Sequence, residues 1–282
     1  EDSPEKEALR QKNRDKRLDA MAAGLDELDA RLRDILRQGL AAAEAHPPAF
    51  WEQMAARMVD AKLGSIARRL RLLAYPIAGE ARYERILGEI SEMFLLIEGF
   101  RRMEHLPEGM QYDLLASAGL AQRKEDLEDR PPVHDQWLVL GAETGVEEQL
   151  RYRRVWLAGQ ESRHFALLLD FVWGDGDFPD HWPPGASFTG ALTYFPSAYP
   201  LRAIAQPMQP ADLPFRLFDG HATLSIAAHA YAEALSRNPW LPQMPALLGA
   251  VIPAYLDSYF FLVDKESKCY PIQVSEETGL RL

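Results

Sequence analysis

The chain has 282 residues, 31 basic and 42 acidic side chains, and a formal net charge of −11. Hydrophobic residues at 47% and charged residues at 26% supply enough apolar surface to offset the entropy of ordering, which excludes disorder throughout. The single cysteine, Cys269, excludes a disulfide framework and any multi-cysteine metal cluster built from this chain alone. No apolar run reaches the ~18–20 residues that span a bilayer, and the charged N-terminus has no apolar signal core. A soluble, cytoplasmic protein is expected. The first residue is Glu1 rather than methionine, so the expectation includes an excised or processed piece of something longer.

The pattern changes near Pro131-Pro132, from helical spacing to short apolar runs separated by Gly, Pro and Asp. The expected fold class is α+β: an antiparallel helical bundle over 1–130, then a β-rich sandwich or open barrel over 131–282. The first helix is predicted from about Pro4 to Ala43, with Leu18, Met21, Leu25, Leu28, Leu32 and Ile35 stepping by three and four along one seam. His46-Pro47-Pro48 stops it. A second helix follows from about Phe50 to Leu63. Gly64 then punctuates, Ser65 is the expected N-cap, and a third helix runs to Pro76. A fourth, from Gly79 to His105, aligns Tyr83, Ile86, Leu87, Ile90, Met93, Phe94, Ile97 and Phe100. Asp113–Ala121 adds a short helix, and the short connections favour antiparallel neighbours.

In the second part, Gln136–Leu140, Val155–Ala158, His164–Val172, Phe188–Phe195 and Leu201–Ala205 read as strands. Leu167-Leu168-Leu169 is too continuous for a strand with one wet face. Gly174-Asp175-Gly176-Asp177 is a turn. One helix is inserted at about 222–236 and ends at Asn238-Pro239. Tyr259–Val263 and Tyr270–Val274 read as a closing hairpin.

Candidate chemistry is sparse. Asp170, Asp175, Asp177, Asp180 and His181 form an acidic cluster that could serve a metal-dependent hydrolase, but the EF-hand pattern fails and a solvated turn accounts for it. The seven histidines lack the zinc-enzyme spacing; His221 and His229 share the start of one predicted helix and read as core or capping residues. There is no glycine-rich phosphate loop and no nucleophile elbow. Cys269 lies near Lys265 and Lys268 without a base partner. Arg68, Arg69, Arg71, Arg101, Arg102, Arg151, Arg153 and Arg154 are the densest cations and the candidate nucleic-acid contacts. Yet residues 1–130 hold 21 basic against 25 acidic side chains, and the remainder 10 against 17, so neither part is a free-standing polyanion binder. Five of six tryptophans fall after Pro132 and read as sandwich core or a stacking surface.

Several stretches together carry a resemblance. Gly24 to Leu28, Leu32 to Leu40, Trp51 to Leu63, Ala67 to Leu70, Trp137 to Gly141, Tyr194 to Arg202 and Arg237 to Leu241 resemble, in that order, bacterial SWIM zinc-finger family proteins. The likeness covers most of the chain from about residue 20 onward. The family's defining C-x-C…C-x-H zinc site cannot come from this chain, so zinc is expected only in a finger upstream of it. The resemblance implies a role in a multi-protein assembly, beside MoxR-type AAA+ ATPases and von Willebrand A-type proteins. The expected function is therefore a non-enzymatic scaffold or interaction module. Its expected docking surface is the seam Leu18, Met21, Leu25, Leu28, Leu32 and Ile35, which serves either its own bundle, the favoured reading, or a partner; nucleic-acid binding and metal-dependent hydrolysis are the alternative functions.

Overall fold

The computed structural model describes residues 4–75, 82–127, 129–147, 150–212, 214–257 and 259–272. It divides into two compact units, Glu1–Arg123 and Lys124–Leu282, where the composition shift had placed the boundary at 130/131. The first is helical and the second is built on antiparallel strands with one α-helix among its described residues, an α+β chain.

In the first unit, α1 (Pro4–Gln38) stops at Gly39, whose φ of 92° belongs to the left-handed region. The single helix expected to reach Ala43 is thus corrected: the chain breaks at Gly39 and resumes as α2 (Leu40–Ala45). Next, α3 (Pro48–Asp60) opens on a proline, whose missing N–H costs nothing in a first turn. The expected cap at Ser65 is also corrected. Helix α4 (Gly64–Leu73) has already begun there, and the Ser65 hydroxyl donates to the Ser117 carbonyl instead. Helix α5 spans Arg82–Arg101, and the last turn expected to reach His105 is a separate 3-10 turn, Met103–His105. The expected start at Gly79 lies outside the described residues. Helix α6 (Glu108–Ala118) is longer at its front than expected and closes on a left-handed Gly119.

Each helix turns a stripe inward. The core takes Met21, Leu25, Leu28, Leu32 and Ile35 from α1, Trp51, Met54 and Met58 from α3, and Ile66 and Leu70 from α4. From α5 and α6 it takes Ile86, Ile90, Met93, Leu96, Ile97, Leu114 and Leu115. Burying each such side chain fully is worth roughly 1.5–3 kcal/mol. Leu96 replaces the expected Leu87, which is 45% exposed.

In the second unit, six antiparallel strands form one sheet: β1 (Val133–Glu147), β2 (Leu150–Gly159), β3 (Phe165–Trp173), β4 (Ser187–Tyr194), β5 (Ala203–Ala205) and β6 (Gln209–Pro210). The order is β3-β2-β1-β4-β5, with β6 also beside β4. Leu167 N–H donates to the Leu201 carbonyl at 2.7 Å and bridges Arg202, so the β3 edge meets the segment before β5 at one point. One face of the sheet buries Trp137, Val139, Val155, Leu157, Leu168, Trp182 and Leu192. On the other, Trp156 and Phe165 pack with Leu201, Ala234 and Leu241, which brings α7 (Leu224–Arg237) over the sheet. Of the unbroken Leu167-Leu168-Leu169, only Leu168 is buried; Leu167 and Leu169 lie on the other face and are half-buried.

A second sheet of three strands follows: β7 (Val251–Leu256), β8 (Tyr259–Asp264) and β9 (Cys269–Ile272). The expected closing hairpin is thus the last two strands of a meander, and its expected end at Val274 lies outside the described residues. The buried Asp264 carboxylate accepts N–H groups from Leu224 (3.2 Å), Glu266 (2.9 Å) and Lys268 (3.1 Å), tying the hairpin turn to the start of α7. Thr223 caps that helix through Ile226 N–H at 3.3 Å.

Candidate interaction surface

The seam on α1 is core. Met21, Leu28 and Leu32 have no exposed surface, Leu25 and Ile35 are 2–3% exposed, and Leu18 is half-buried. Of the two expected readings, packing within the bundle agrees with this burial, and docking of a partner is corrected because the apolar stripe is satisfied inside its own bundle. What α1 presents outward is charge.

The arginines on the bundle are engaged with carboxylates on neighbouring helices. Arg101 on α5 reaches Asp26 (3.0 Å) and Asp29 (3.1 Å) on α1, and also Glu98 (2.8 Å). Arg69 on α4 pairs with Glu89 and Glu92 on α5, and Arg71 with Glu52 on α3. Arg57 joins α3 to Glu27 on α1, and Arg102 lies 3.7 Å from Glu98. Arg68 is exposed and also has an interaction partner. Asp29 also takes both oxygens' share of Arg33 at 3.0 Å. The Arg33 hydrogen bond lowers the Asp29 carboxyl below its ordinary range; burial opposes this, and Arg101 adds to the lowering. Exposed pairs of this kind each contribute ~0–1 kcal/mol, so they fix helix register more than they add stability.

The arginines of β2 hold a loop. Arg153, 8% exposed, grips Asp170 (2.6 and 3.0 Å) and the Asp180 carbonyl (2.5 Å), and its guanidinium lies 4.6 Å from the Phe178 ring. Arg151 donates to the Gly176 carbonyl at 3.2 Å and approaches the same ring at 5.4 Å. Arg154 stacks 4.5 Å over Tyr152 and lies 3.8 Å from Glu143. Asp170 is therefore an arginine's partner, while Asp175, Asp177, Asp180 and His181 are exposed. Among the described residues no three acidic, histidine or cysteine side chains stand together in a way that could hold a metal ion.

His221 and His229 do not share a helix. His221 precedes α7, donates its N–H to the Leu247 carbonyl at 2.8 Å and bridges Leu248, and His229 is exposed on the helix. Cys269 is exposed on β9. The tryptophans divide: Trp137 and Trp182 are core, whereas Trp173 is 72% exposed.

That exposure marks a surface the composition hid. Strands β1, β2 and β3 run on past the region paired with β4, and in this extension Leu150 opposes Trp173, Tyr152 opposes Phe171, and Arg154 opposes Leu169. Opposed residues share a face, so Leu150, Tyr152, Leu169, Phe171 and Trp173 make one strip, with the half-buried Arg154 at its inner end. Phe171 is 49% exposed, and Leu150, Tyr152 and Leu169 are half-buried. Tyr152 lies across Gly145: a Cβ there would come within 2.3 Å of the phenol ring, so glycine is what lets the ring lie against the strand. Beyond Leu167, β3 has no ladder partner on its outer side among the described residues. The strip thus lies at an open strand edge. The i, i+2, i+4 alternation of Leu169, Phe171 and Trp173 up to Gly174 was the available signal.

A shallow groove of about 510 Å³ on the bundle is lined by Arg33, Leu36, Arg37, Phe94 and Glu98. Its cations are spoken for: Arg33 by Asp29 and Phe94, Arg37 by Asp34.

Residues 16–118 match the family model of the SWIM-associated four-helix bundle domain, within the first unit. Over 79 residues, 28% of this chain, the sequence is 42% identical to human hairy and enhancer of split-related protein HELT. The chain spans 31% of the length of that relative. No solved structure matches.

Proposed function

We propose that this chain is a non-enzymatic protein-interaction module, the body of a SWIM-type scaffold, and that the free end of its six-stranded sheet receives the partner. The observation that carries the reading is the strip Leu150, Tyr152, Leu169, Phe171 and Trp173 beside the open outer edge of β3. Rigidly held aromatic side chains at low conformational cost are the usual anchors of protein interfaces. An open edge adds backbone N–H and C=O groups that an extended segment can pair with, while the aromatic strip selects its apolar side chains. The bundle match at residues 16–118 supports the SWIM-associated assignment. The ordered resemblance beyond it supports the finer reading, in which the partner belongs to a MoxR-type AAA+ ATPase and von Willebrand A-type system and zinc sits in a finger outside this chain. No helix among the described residues is long and apolar enough to cross a membrane.

The test is affinity capture from native lysate with the wild type and with a Phe171→Asp, Trp173→Ala double variant of unchanged melting temperature. Proteins retained by the first and lost by the second are expected. Identical retained sets would remove the sheet end as the receiving surface. Purified MoxR-type ATPase and von Willebrand A-type protein that both fail to bind would remove the finer assignment.

A further inference from the structure

Within a strand the N–H and C=O of one residue point to the same side, and successive residues alternate. Gly159 on β2 donates its N–H to the His164 carbonyl at 2.9 Å. The even-numbered residues that follow on β3 therefore face β2, and the odd-numbered ones face outward. Two further bonds agree: the Phe165 carbonyl accepts the Tyr194 hydroxyl at 3.0 Å, and Leu167 N–H donates to the Leu201 carbonyl at 2.7 Å. The chain's own folding thus serves the first two outward positions. Leu169 and Phe171, next in the same parity, find no partner for N–H or C=O among the described residues. Trp173 has one only for its carbonyl, from Gly176 N–H at 3.5 Å. These three residues also carry the β3 side chains of the apolar strip.

Proteins ordinarily guard such an edge with a lysine, a proline or a bulge. From Phe165 to Trp173, β3 has no lysine and no proline, and its register against β2 is unbroken. Its one charged side chain, Asp170, is held by Arg153. The charge around the free end is one-sided. Asp175 and Asp177 follow Trp173, are exposed, and have no ion pair among the described residues. The cations of the adjoining β2 are engaged: Arg151 with the Gly176 carbonyl, Arg153 with Asp170, and Arg154 with the Tyr152 ring and Glu143.

Given that this sheet end receives the partner, we propose that what it receives is an extended, basic segment of another protein, added to residues 169–173 as a further strand. Its backbone pairs with Leu169, Phe171 and Trp173, and its alternate apolar side chains lie on the strip. A lysine or arginine flanking them meets Asp175 and Asp177. A second copy would bring a chain of the same negative sign, at −11. An anionic lipid surface or a nucleic acid would meet carboxylates at the same place.

The experiment is fluorescence anisotropy of a labelled, end-capped peptide, Lys-Val-Thr-Val-Thr-Val-Lys, titrated with the full chain at about 50 mM salt, where exposed charges are weakly screened. Saturable binding is expected. Replacing both peptide lysines by glutamate should weaken it about tenfold, and the protein variant Asp175→Lys, Asp177→Lys should invert that preference. Only one parity of an added strand turns its amides toward β3. A methyl group on the amide of the central valine and one on a neighbouring threonine should therefore act oppositely, one abolishing binding and the other sparing it. Loss at valine marks an antiparallel guest, loss at threonine a parallel one. No binding by the wild type, the same effect from both methyl groups, a lysine preference that survives the charge reversal, or binding that persists in Phe171→Asp, Trp173→Ala would each overturn the proposal. Where the peptide fails but that double variant still loses its captured partner, strand addition falls alone and the sheet end remains the receiving surface.

Discussion

At the residue scale, the polar side chains that looked available for chemistry are mostly fixing backbone or one another. Asp135, 8% exposed, accepts N–H groups from Gln136 (2.7 Å), Glu161 (3.1 Å) and Ser162 (2.8 Å), which pins the turn between β2 and β3. Burial pushes its carboxyl upward, but the Ser162 hydroxyl and the three N–H donors together outweigh that and hold it below the ordinary carboxylate range. Tyr194 lies nearby, its hydroxyl donating to the Phe165 carbonyl at 3.0 Å; burial and the Asp135 charge push it upward, so it stays neutral. A carboxyl lowered by folding adds stability above its unfolded value of about 3.9, and that contribution is lost as pH falls through the lower folded value. Asp29 has the same sign. Thermal melting followed from about pH 5 down to pH 2 should therefore show a steep decline. Asp135→Asn should start from a lower midpoint and decline less. Equal slopes for wild type and variant would show that Asp135 is not the group titrating. Arg153 gives a second expectation. Removing it leaves Asp170 and the Asp180 carbonyl without their donor, so Arg153→Ala should cost about 3 kcal/mol in urea unfolding. Arg153→Lys, which cannot reproduce the fork of hydrogen bonds, should recover only part of this. These roles were not legible in the sequence because Arg153, Asp170 and Asp180 meet only after two strands and a loop are folded.

At the scale of elements, periodicity was a good guide where packing is local. The three-four stepping from Leu18 to Ile35 identified the buried stripe of α1. It could not say whether the stripe faces its own bundle or a partner, since both demand the same spacing. Leu28→Ala, at a site with no exposed surface, should lower unfolding free energy by ~2–5 kcal/mol. Leu87→Ala, on the outer side of α5, should cost well under that; equal costs would mean the stripe has been assigned to the wrong face. Strands were read less completely. The extension of β1 to Glu147 and of β2 back to Leu150 passes through Glu143, Thr144 and Arg151 to Arg154, whose polarity masks a ladder held by backbone hydrogen bonds. The bulge between Val139 and Gly141 also shifts the alternation by one, so no single period-two template fits β1. Strand β7 was missed because Pro253 interrupts it, and it is tolerated there because β7 is an edge strand.

For the whole molecule, charge and its pairing decide which partners remain plausible in physical terms. Arg69, Arg71, Arg101, Arg102, Arg153 and Arg154 each have a carboxylate within 4 Å, so a polyanion would have to displace existing ion pairs on an acidic protein. No retention on DNA or RNA is expected at about 50 mM salt, where counterion release favours any real phosphate binder. Retention that weakens steeply with salt would reinstate those arginines as contacts. What the amino-acid sequence by itself determined is the division into a helical and a β-rich part, the identity of the inward stripe on each helix, and the lack of any spaced catalytic motif. These follow from residue type and short-range spacing, which act over one or two turns. What only the tertiary structure decided is which apolar residues are left uncovered, at Trp173 on the first sheet and Tyr259 on the second, and which charges are already paired. Both depend on side chains far apart in the chain arriving at one place, and no local period encodes that meeting.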